Sequence, residues 1–286
     1  MQEAAGRPGT LRVEKMFEDC RKEGRTALLV YLCGGYPDLE YSEELIHAVL
    51  EGGADLVEIG MPFSDPLADG PAIQTAAQEA LAAGTTLNKV LAMGARIREC
   101  HDSPLMLMTY YNPVLSYGKE QFLKDLAAVG FDGLLVPDLP LEESTELAEL
   151  AGERGLCWVP FAAPTSTFHR LEGICSVAEG FIYCISRAGT TGKRLESFSE
   201  ARELARRMRQ LTSKPIALGF GIAEPDDVAA AAPFFDGVIV GSAIIRLIAR
   251  HKQDKVLCLQ QVREFVSSLK QSCFLRRNIG SIHDAE

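Results

Sequence analysis

The sequence has no excess of basic residues and no segment apolar enough to cross a membrane. Its 29 lysines and arginines face 39 aspartates and glutamates, which gives a formal net charge of −10. The chain therefore has no overall electrostatic attraction for DNA or RNA. No run approaches the roughly 18 apolar residues of a transmembrane helix, and residues 1–10 lack the apolar core of a signal peptide. We expect neither a nucleic acid nor a membrane as a partner.

The eight cysteines never occur as a Cys-x-x-Cys pair, which argues against a zinc or disulfide framework. Several of them lie in apolar stretches, where a free cysteine behaves as a small hydrophobic residue. This usage is typical of reduced thiols, and we expect a cytoplasmic protein.

Short apolar segments rich in β-forming residues recur along the chain. The 286 residues are 47% hydrophobic and 24% charged, which is ordinary for a globular protein with one large core. The eight segments are 26–33, 55–62, 105–112, 133–139, 157–164, 181–186, 215–221 and 237–242. Most are continuously apolar, as expected of parallel strands that are covered on both faces.

Segments with helical spacing of apolar residues lie between these strands. A further helix is predicted at about 11–23, with Val13, Met16, Phe17 and Cys20 on a face that could close the bottom of a barrel. Eight strand-helix units without a linker predict an α/β fold, a single (β/α)8 TIM barrel with an extra N-terminal helix. An open doubly wound sheet is the alternative. We expect a flexible N-terminus over 1–10, the barrel over 11–273 and a loose C-terminal tail over 274–286.

Reactive groups of such a barrel lie at the C-terminal ends of its strands, and Glu58 is the first candidate there. A carboxylate that points into the barrel is costly to desolvate, so its pKa rises and it can exchange a proton near neutral pH. The alternative is that Glu58 points outward and pairs with a basic residue of a neighbouring helix. Periodicity alone leaves both orientations equally open.

The loop 61–71 (MPFSDPLADGP) is the second candidate, because three prolines stiffen the backbone around Asp65 and Asp69. A rigid acidic loop at the barrel mouth favours a functional role. Asp-Pro and Asp-Gly pairs are also typical of ordinary turns, in which the aspartates cap the backbone. No histidine accompanies these carboxylates and no regular ligand spacing is present, so we expect no metal.

The loop 185–194 (ISRAGTTGKR) follows the sixth strand and contains glycines among small hydroxyl residues. A loop in this place is often a lid that excludes water, although it could be only a flexible connection. Tyr183, just upstream, could present its hydroxyl to the barrel mouth or could be an ordinary core tyrosine.

Glycines at the ends of the seventh and eighth strands predict a phosphate site in the segments 219–222 (GFGI) and 241–245 (GSAII). Glycine lets backbone N–H groups approach an anion, and Ser242 begins a helix whose positive N-terminus favours a phosphate. These two strands carry the recurring phosphate site of the fold. A glycine-rich turn needed only for tight packing is the alternative.

The positions of the lysines and histidines argue against several types of catalysis. No lysine lies within the eight strand segments, which disfavours a Schiff-base aldolase. The five histidines all lie in helical or loop segments, so neither a histidine-metal site nor a Ser-His-Asp triad is indicated. What remains is acid-base catalysis by carboxylates on a phosphorylated substrate.

Taken in chain order, these segments resemble the alpha subunit of tryptophan synthase. The similarity covers about 11–273 and is most specific at 58–71 (EIGMPFSDPLADGP), 136–140 (VPDLP), 163–166 (APTS), 183–192, 219–221 and 241–242. The resemblance implies reversible retro-aldol cleavage of indole-3-glycerol phosphate to indole and glyceraldehyde 3-phosphate. It implies no cofactor in this chain.

The resemblance also implies roles for individual residues. Glu58, Asp69 and Tyr183 match the catalytic positions, with Glu58 transferring protons and Asp69 accepting a hydrogen bond from the indole N–H. Thr191 matches the lid threonine that closes over the substrate beside Asp69. The phosphate-binding positions are Gly192, Gly221, Gly241 and Ser242. The indole ring is expected to pack among Tyr31, Met108, Leu135 and Phe220.

A partner is implied as well, the pyridoxal-phosphate β subunit, which receives indole through a tunnel in an α2β2 complex. The matching contact loops are around Asp65-Pro66 and Asn112-Pro113. Two alternatives stay open at this point. One is a free-standing indole-3-glycerol phosphate lyase, and the other is a non-catalytic scaffold that activates its partner, against which the intact Glu58 and Asp69 argue.

Overall fold

Nine parallel strand segments form one sheet in the computed structural model, which describes residues 8–186 and 198–275. The strands are β1 (Ala27–Cys33), β2 (Leu56–Gly60), β3 (Leu105–Met108), β4 (Gly133–Leu135), β5 (Cys157–Trp158), β6 (Phe161–Ala162), β7 (Ile182–Ile185), β8 (Ile216–Gly219) and β9 (Gly237–Val240). Nearly every strand residue is buried, which agrees with the continuously apolar segments predicted for a sheet covered on both faces.

The sheet closes on itself through residues 157–162. The strand order β5-β4-β3-β2-β1-β9-β8-β7-β6 places β5 and β6 at its two ends, yet only Val159 and Pro160 separate them in the chain. The Val159 N–H donates to the Leu134 carbonyl at 3.3 Å, and the Tyr183 N–H donates to the Pro160 carbonyl at 3.0 Å. The two segments are thus one barrel strand, interrupted where proline has no N–H to donate. The predicted single (β/α)8 barrel is confirmed.

Twelve α-helices lie in the described part of the chain. They are α1 (Pro8–Lys22), α2 (Leu39–Glu51), α3 (Pro71–Ala82), α4 (Leu87–Cys100), α5 (Tyr111–Tyr117), α6 (Lys119–Ala128), α7 (Leu141–Glu153), α8 (Phe168–Val177), α9 (Ser199–Arg209), α10 (Pro225–Ala231), α11 (Ser242–His251) and α12 (Lys255–Ser272). None of these described helices is long and apolar enough to cross a membrane. Because 1–7 and 276–286 are outside the described residues, the predicted domain boundaries stay predictions.

Apolar side chains form two separate clusters, one inside the barrel and one between the strands and the helices. Strand β2 shows how the sequence divides between them. Leu56 belongs to the interior cluster, whereas Val57 and Ile59 belong to the outer cluster, because successive residues of a strand face opposite sides.

Helix α1 is the predicted extra N-terminal helix, and it closes one end of the barrel. Its residues Val13, Phe17 and Cys20 are buried in the interior cluster. The Phe17 ring lies 5.6 Å from the ring of Phe181, the residue that precedes β7. This end of the barrel interior is therefore filled with packed side chains.

Three aspartates stabilise the same end of the barrel. Each directly precedes a strand and accepts a backbone N–H from the neighbouring strand. The donors Leu28, Leu105 and Ile216 lie at 2.8, 2.8 and 2.9 Å from Asp55, Asp132 and Asp236, respectively. Asp132 is fully buried and also pairs with Arg12 of α1 and with Arg98 of α4. Carboxylates at this end serve the fold, which leaves those at the opposite end for chemistry.

Candidate active site

The C-terminal ends of the strands surround a cavity of about 260 Å³. Its wall combines aromatic and apolar side chains with glycines and a few polar groups. The lining residues are Tyr31, Asp69, Ile73, Met108, Tyr183, Phe220, Gly221, Ile222, Ala223, Glu224, Ile239, Gly241, Ser242 and Arg246. A concave, mainly apolar site with few convergent polar groups is typical of small-molecule binding.

Glu58 points into the barrel interior and not toward the outer helices. It follows Leu56 by two residues on β2 and so shares the inner face of that strand. Burial and, after it, the charge of Glu58 raise the pKa of Tyr183, whose side chain also lies inside the barrel. Tyr31, the register partner of Glu58 on β1, lines the cavity. The inward orientation is the one observed.

The Glu58 carboxyl has no exposed surface, and neither of its oxygens has a hydrogen-bond partner among the described residues. Burial raises its pKa from 4.5 to about 8, because the charged form loses its hydration without gaining a partner. Buried polar groups in proteins are nearly always hydrogen-bonded. An unpaired carboxyl with a near-neutral pKa is therefore a candidate for proton transfer.

Asp69 stands at the end of the proline-rich loop, just before helix α3. It is 5% exposed, and burial raises its pKa to about 6. The Tyr110 hydroxyl donates to its Oδ2 at 3.0 Å, which opposes this rise, while Oδ1 is buried without a partner among the described residues. The Ala68 N–H donates to the same Tyr110 hydroxyl at 3.0 Å. Tyr110 thus fixes one oxygen of Asp69 and leaves the other available inside the cavity wall.

Two glycines let tyrosine rings lie across the ends of neighbouring strands. A Cβ atom at Gly60 would collide with the Tyr31 ring, and one at Gly219 would collide with the Tyr183 ring. Phe220 meets Tyr183 edge to face, with ring centroids 6.0 Å apart at 80°. The result is an aromatic wall next to the two carboxylates, a surface suited to a flat aromatic ligand.

The opposite side of the cavity is built from backbone. Gly241 is the N-cap of helix α11, and Ser242 is the first residue of that helix. Gly221 lies beside them in the cavity wall. Free N–H groups at a helix N-terminus attract anions, so this side is suited to a phosphate.

The backbone at Phe220 is strained. Its φ of 69° lies in the left-handed region, which a bulky side chain rarely adopts. The conformation is held by Ser186, whose hydroxyl donates to the Phe220 carbonyl at 2.7 Å and whose N–H donates to the Gly219 carbonyl at 3.2 Å. Strain of this kind persists where a site needs a particular backbone course.

Most of the predicted site residues line the same cavity. These are Tyr31, Asp69, Met108, Tyr183, Phe220, Gly221, Gly241 and Ser242. Glu58 and Leu135 are not among the lining residues, and both side chains are fully buried. Thr191 and Gly192 lie outside the described residues. Asp65, the other acidic residue of the proline-rich loop, is exposed and bonded to Ser64 at 2.6 Å.

Sequence reasoning missed Tyr110, Glu224 and Arg246. Tyr110 lies just after β3, at the strand end where functional groups are expected, and that position was its only signal. Glu224 and Arg246 line the cavity from a loop and from a helix, without a motif that marks them.

Comparison with known proteins agrees with this geometry. The family model described as tryptophan synthase alpha chain matches residues 17–273. The chain belongs to the tryptophan synthase alpha chain family. A relative named tryptophan synthase alpha chain from Caldanaerobacter subterraneus is 42% identical over 260 residues, which cover 91% of this chain and 98% of the relative. One from Carboxydothermus hydrogenoformans is 45% identical over 245 residues, covering 86% and 92%.

Solved structures of the family have the same fold. A chain of tryptophan synthase from Mycobacterium tuberculosis superposes with a TM-score of 0.86 at 35% identity, covering 92% of this chain and 98% of that one. Tryptophan synthase subunit alpha from Legionella pneumophila superposes with a TM-score of 0.85 at 33% identity, with the same coverages. Tryptophan synthase alpha chains are lyases of tryptophan biosynthesis that cleave indole-3-glycerol phosphate to indole and glyceraldehyde 3-phosphate.

Proposed function

We propose that this chain cleaves indole-3-glycerol phosphate by passing a proton through Glu58. The observation that carries the proposal is an inward carboxyl without exposed surface or a described hydrogen-bond partner, whose pKa burial raises to about 8. Such a group is mostly protonated at pH 7 and still exchanges its proton readily. It can act first as an acid and then as a base.

In the first step Glu58 gives its proton to C3 of the indole ring. The electron pair of the C2–C3 double bond forms the new C–H bond, and the positive charge moves to the ring nitrogen. In the second step the Glu58 carboxylate takes the proton of the hydroxyl on the side-chain carbon attached to C3. The O–H pair becomes the aldehyde C=O, and the broken C–C pair restores the aromatic ring. Glu58 ends protonated, as it began.

Asp69 stabilises the cation formed between these steps. Its Oδ1 accepts the hydrogen bond of the indole N–H, while Tyr110 holds Oδ2. Because burial raises the Asp69 pKa only to about 6, this carboxyl is charged at pH 7 when Glu58 is not. A fixed negative charge in a site that excludes water stabilises developing positive charge more strongly than water does. The two carboxyl groups therefore have different tasks.

The substrate is held at its two ends. Its indole ring lies against Tyr31, Met108, Tyr183 and Phe220, and its phosphate lies at Gly221, Gly241 and Ser242. The family resemblance also assigns Gly192 to the phosphate site and Thr191 to a lid, but both residues lie outside the described part of the chain. Binding energy at both ends fixes C3 and the hydroxyl next to the single group that serves them.

The natural partner is a pyridoxal-phosphate β subunit in an α2β2 complex in the cytoplasm, and this chain itself needs no cofactor. Its contact segments are the loop around Asp65-Pro66, where the apolar side chain of Leu67 is 81% exposed, and Asn112-Pro113, which lies in the first turn of α5. All eight cysteines are free thiols, as is usual for a cytoplasmic protein.

Indole release from indole-3-glycerol phosphate by the purified chain, alone and with a β subunit, tests the proposal. Glu58→Gln should lower kcat at least about a thousandfold, because one group serves two proton transfers, while the Kd for glycerol 3-phosphate changes less than about twofold. The exposed Glu149→Gln on α7 is the matched control and should keep full activity. A Glu58→Gln variant that retains most of its kcat, or a wild-type chain without turnover in both settings, would overturn the proposal.

A further inference from the structure

Arg246 is the single basic side chain among the described residues that line the cavity. It lies on α11, four residues after Ser242 and therefore on the same face of the helix one turn later. Its guanidinium has no ion-pair or hydrogen-bond partner among the residues that the structure describes. Most of the other described arginines are paired with carboxylates or carbonyls, whereas Arg246 lines the cavity without such a partner and is available to a ligand that enters there.

The electrostatics of the cavity explain the need for such a cation. Asp69 and Glu224 both line it, and the whole chain carries a net charge of −10. A phosphate monoester brings close to two further negative charges into this environment. Backbone N–H groups at the start of α11 supply only partial positive charge, so a full positive charge nearby lowers the cost of binding and attracts the substrate from solution.

Helix geometry brings the guanidinium to the right place. Side chains on an α-helix tilt toward its N-terminus, so the long side chain of Arg246 can reach along the first turn of α11, and it lines the same cavity as Gly241 and Ser242. Arginine presents a planar fork of N–H donors that matches phosphate oxygens. The side chain is exposed, so it can meet a phosphate that enters the cavity from solution.

We infer that Arg246 is a further phosphate-binding residue, which contacts the phosphate of the substrate at the cavity mouth and selects for phosphorylated substrates. This inference rests on the proposed function for the identity of the substrate. It assigns Arg246 to binding and to capture, and it gives Arg246 no part in proton transfer.

Arg250 provides a matched control one turn further along the same helix. Arg246 lines both the cavity and an adjoining surface depression, whereas Arg250 lines only the depression. Both arginines are exposed, and neither has an ion-pair partner among the described residues. A substitution at either position removes the same charge from the same helix, so only contact with the phosphate distinguishes them.

The experiment compares Arg246→Gln, Arg246→Lys and Arg250→Gln with the wild type. We expect Arg246→Gln to raise the KM for indole-3-glycerol phosphate and the Ki for glycerol 3-phosphate about tenfold, with kcat within about twofold, and to weaken the dependence of kcat/KM on salt. Arg246→Lys should recover part of the loss, and Arg250→Gln should resemble the wild type.

Two results would overturn the inference. The first is a KM and a Ki within about twofold of wild type in Arg246→Gln. The second is an equal loss in Arg250→Gln, which would indicate a general effect of charge. If the wild type lacks turnover, the proposed function fails, but direct binding of glycerol 3-phosphate to the same variants still decides the role of Arg246.

Discussion

Replacing Glu58 by glutamine should stabilise the folded protein at neutral pH while it stops catalysis. Burial raises the pKa of this carboxyl from 4.5 to about 8. Above pH 4.5 the unfolded chain loses the proton, whereas the folded protein keeps it, so folding must return a proton to Glu58. The cost is about 1.4 kcal/mol per pH unit, or roughly 3 kcal/mol at pH 7. Glutamine has a similar shape and is neutral at every pH, so the variant does not carry this free-energy cost.

The sign of the effect defines its pH window. At pH 4.5 and below, the carboxyl is protonated in both states and the two proteins should have similar free energies of unfolding. The advantage of the variant should grow as the pH rises and become constant above about pH 8, where the folded protein also ionises.

Urea unfolding at pH 5, 7 and 8 measures this difference. The single tryptophan, Trp158, is buried in the barrel strand 157–162 and reports the loss of the barrel by its fluorescence. The exposed Glu149→Gln should leave the midpoint unchanged at each pH. A Glu58→Gln variant that is no more stable than wild type at pH 8 would refute the reasoning, because protonation of the buried Glu58 carboxyl would then cost no free energy of folding.

Three further outcomes are expected. The pH profile of kcat/KM should be bell-shaped, falling below about pH 6 as Asp69 is protonated and above about pH 8 as Glu58 ionises; a flat profile between pH 5 and 9 would contradict both roles. Tyr110→Phe removes a hydrogen bond that lowers the Asp69 pKa, so the acid limb of that profile should move to higher pH, and an unchanged limb would show that Tyr110 does not tune Asp69. Gly219→Ala should displace the Tyr183 ring and raise the KM severalfold. It should also weaken the binding of an indole analogue, measured by calorimetry. Unaltered binding would mean that the position of the Tyr183 ring does not affect the affinity.

Much of the fold could be predicted because its signal is local. Continuously apolar segments mark the buried parallel strands, and each of the eight segments contains one barrel strand. The ends were less certain, since an apolar run does not distinguish a strand from the buried start of a helix. Segment 105–112 accordingly runs past the end of β3 at Met108 and into helix α5, which begins at Tyr111. The interruption at Pro160 divides another strand into β5 and β6.

The candidate site likewise has features that could be predicted from the sequence and features that could not. The glycine segments and a carboxyl at a strand end could be read from the sequence. The orientation of Glu58 could not, because it depends on which face of β2 packs inward, and the packing of Leu56 and its neighbours in three dimensions decides this. The hydrogen bond between Tyr110 and Asp69 joins residues 41 positions apart. The indole-contact role of Leu135 was implied by the family resemblance alone and stays a prediction, since its side chain is fully buried in the interior cluster.

The packing of helix α1 determines from which end ligands can enter the barrel. With Val13, Phe17 and Cys20 filling one end of the barrel, the described residues leave the interior open only at the other rim, where the loops after the strands meet. Incoming indole-3-glycerol phosphate and both departing products must cross that rim. A protein that bound to this rim would therefore control the arrival of the substrate and the departure of the products together.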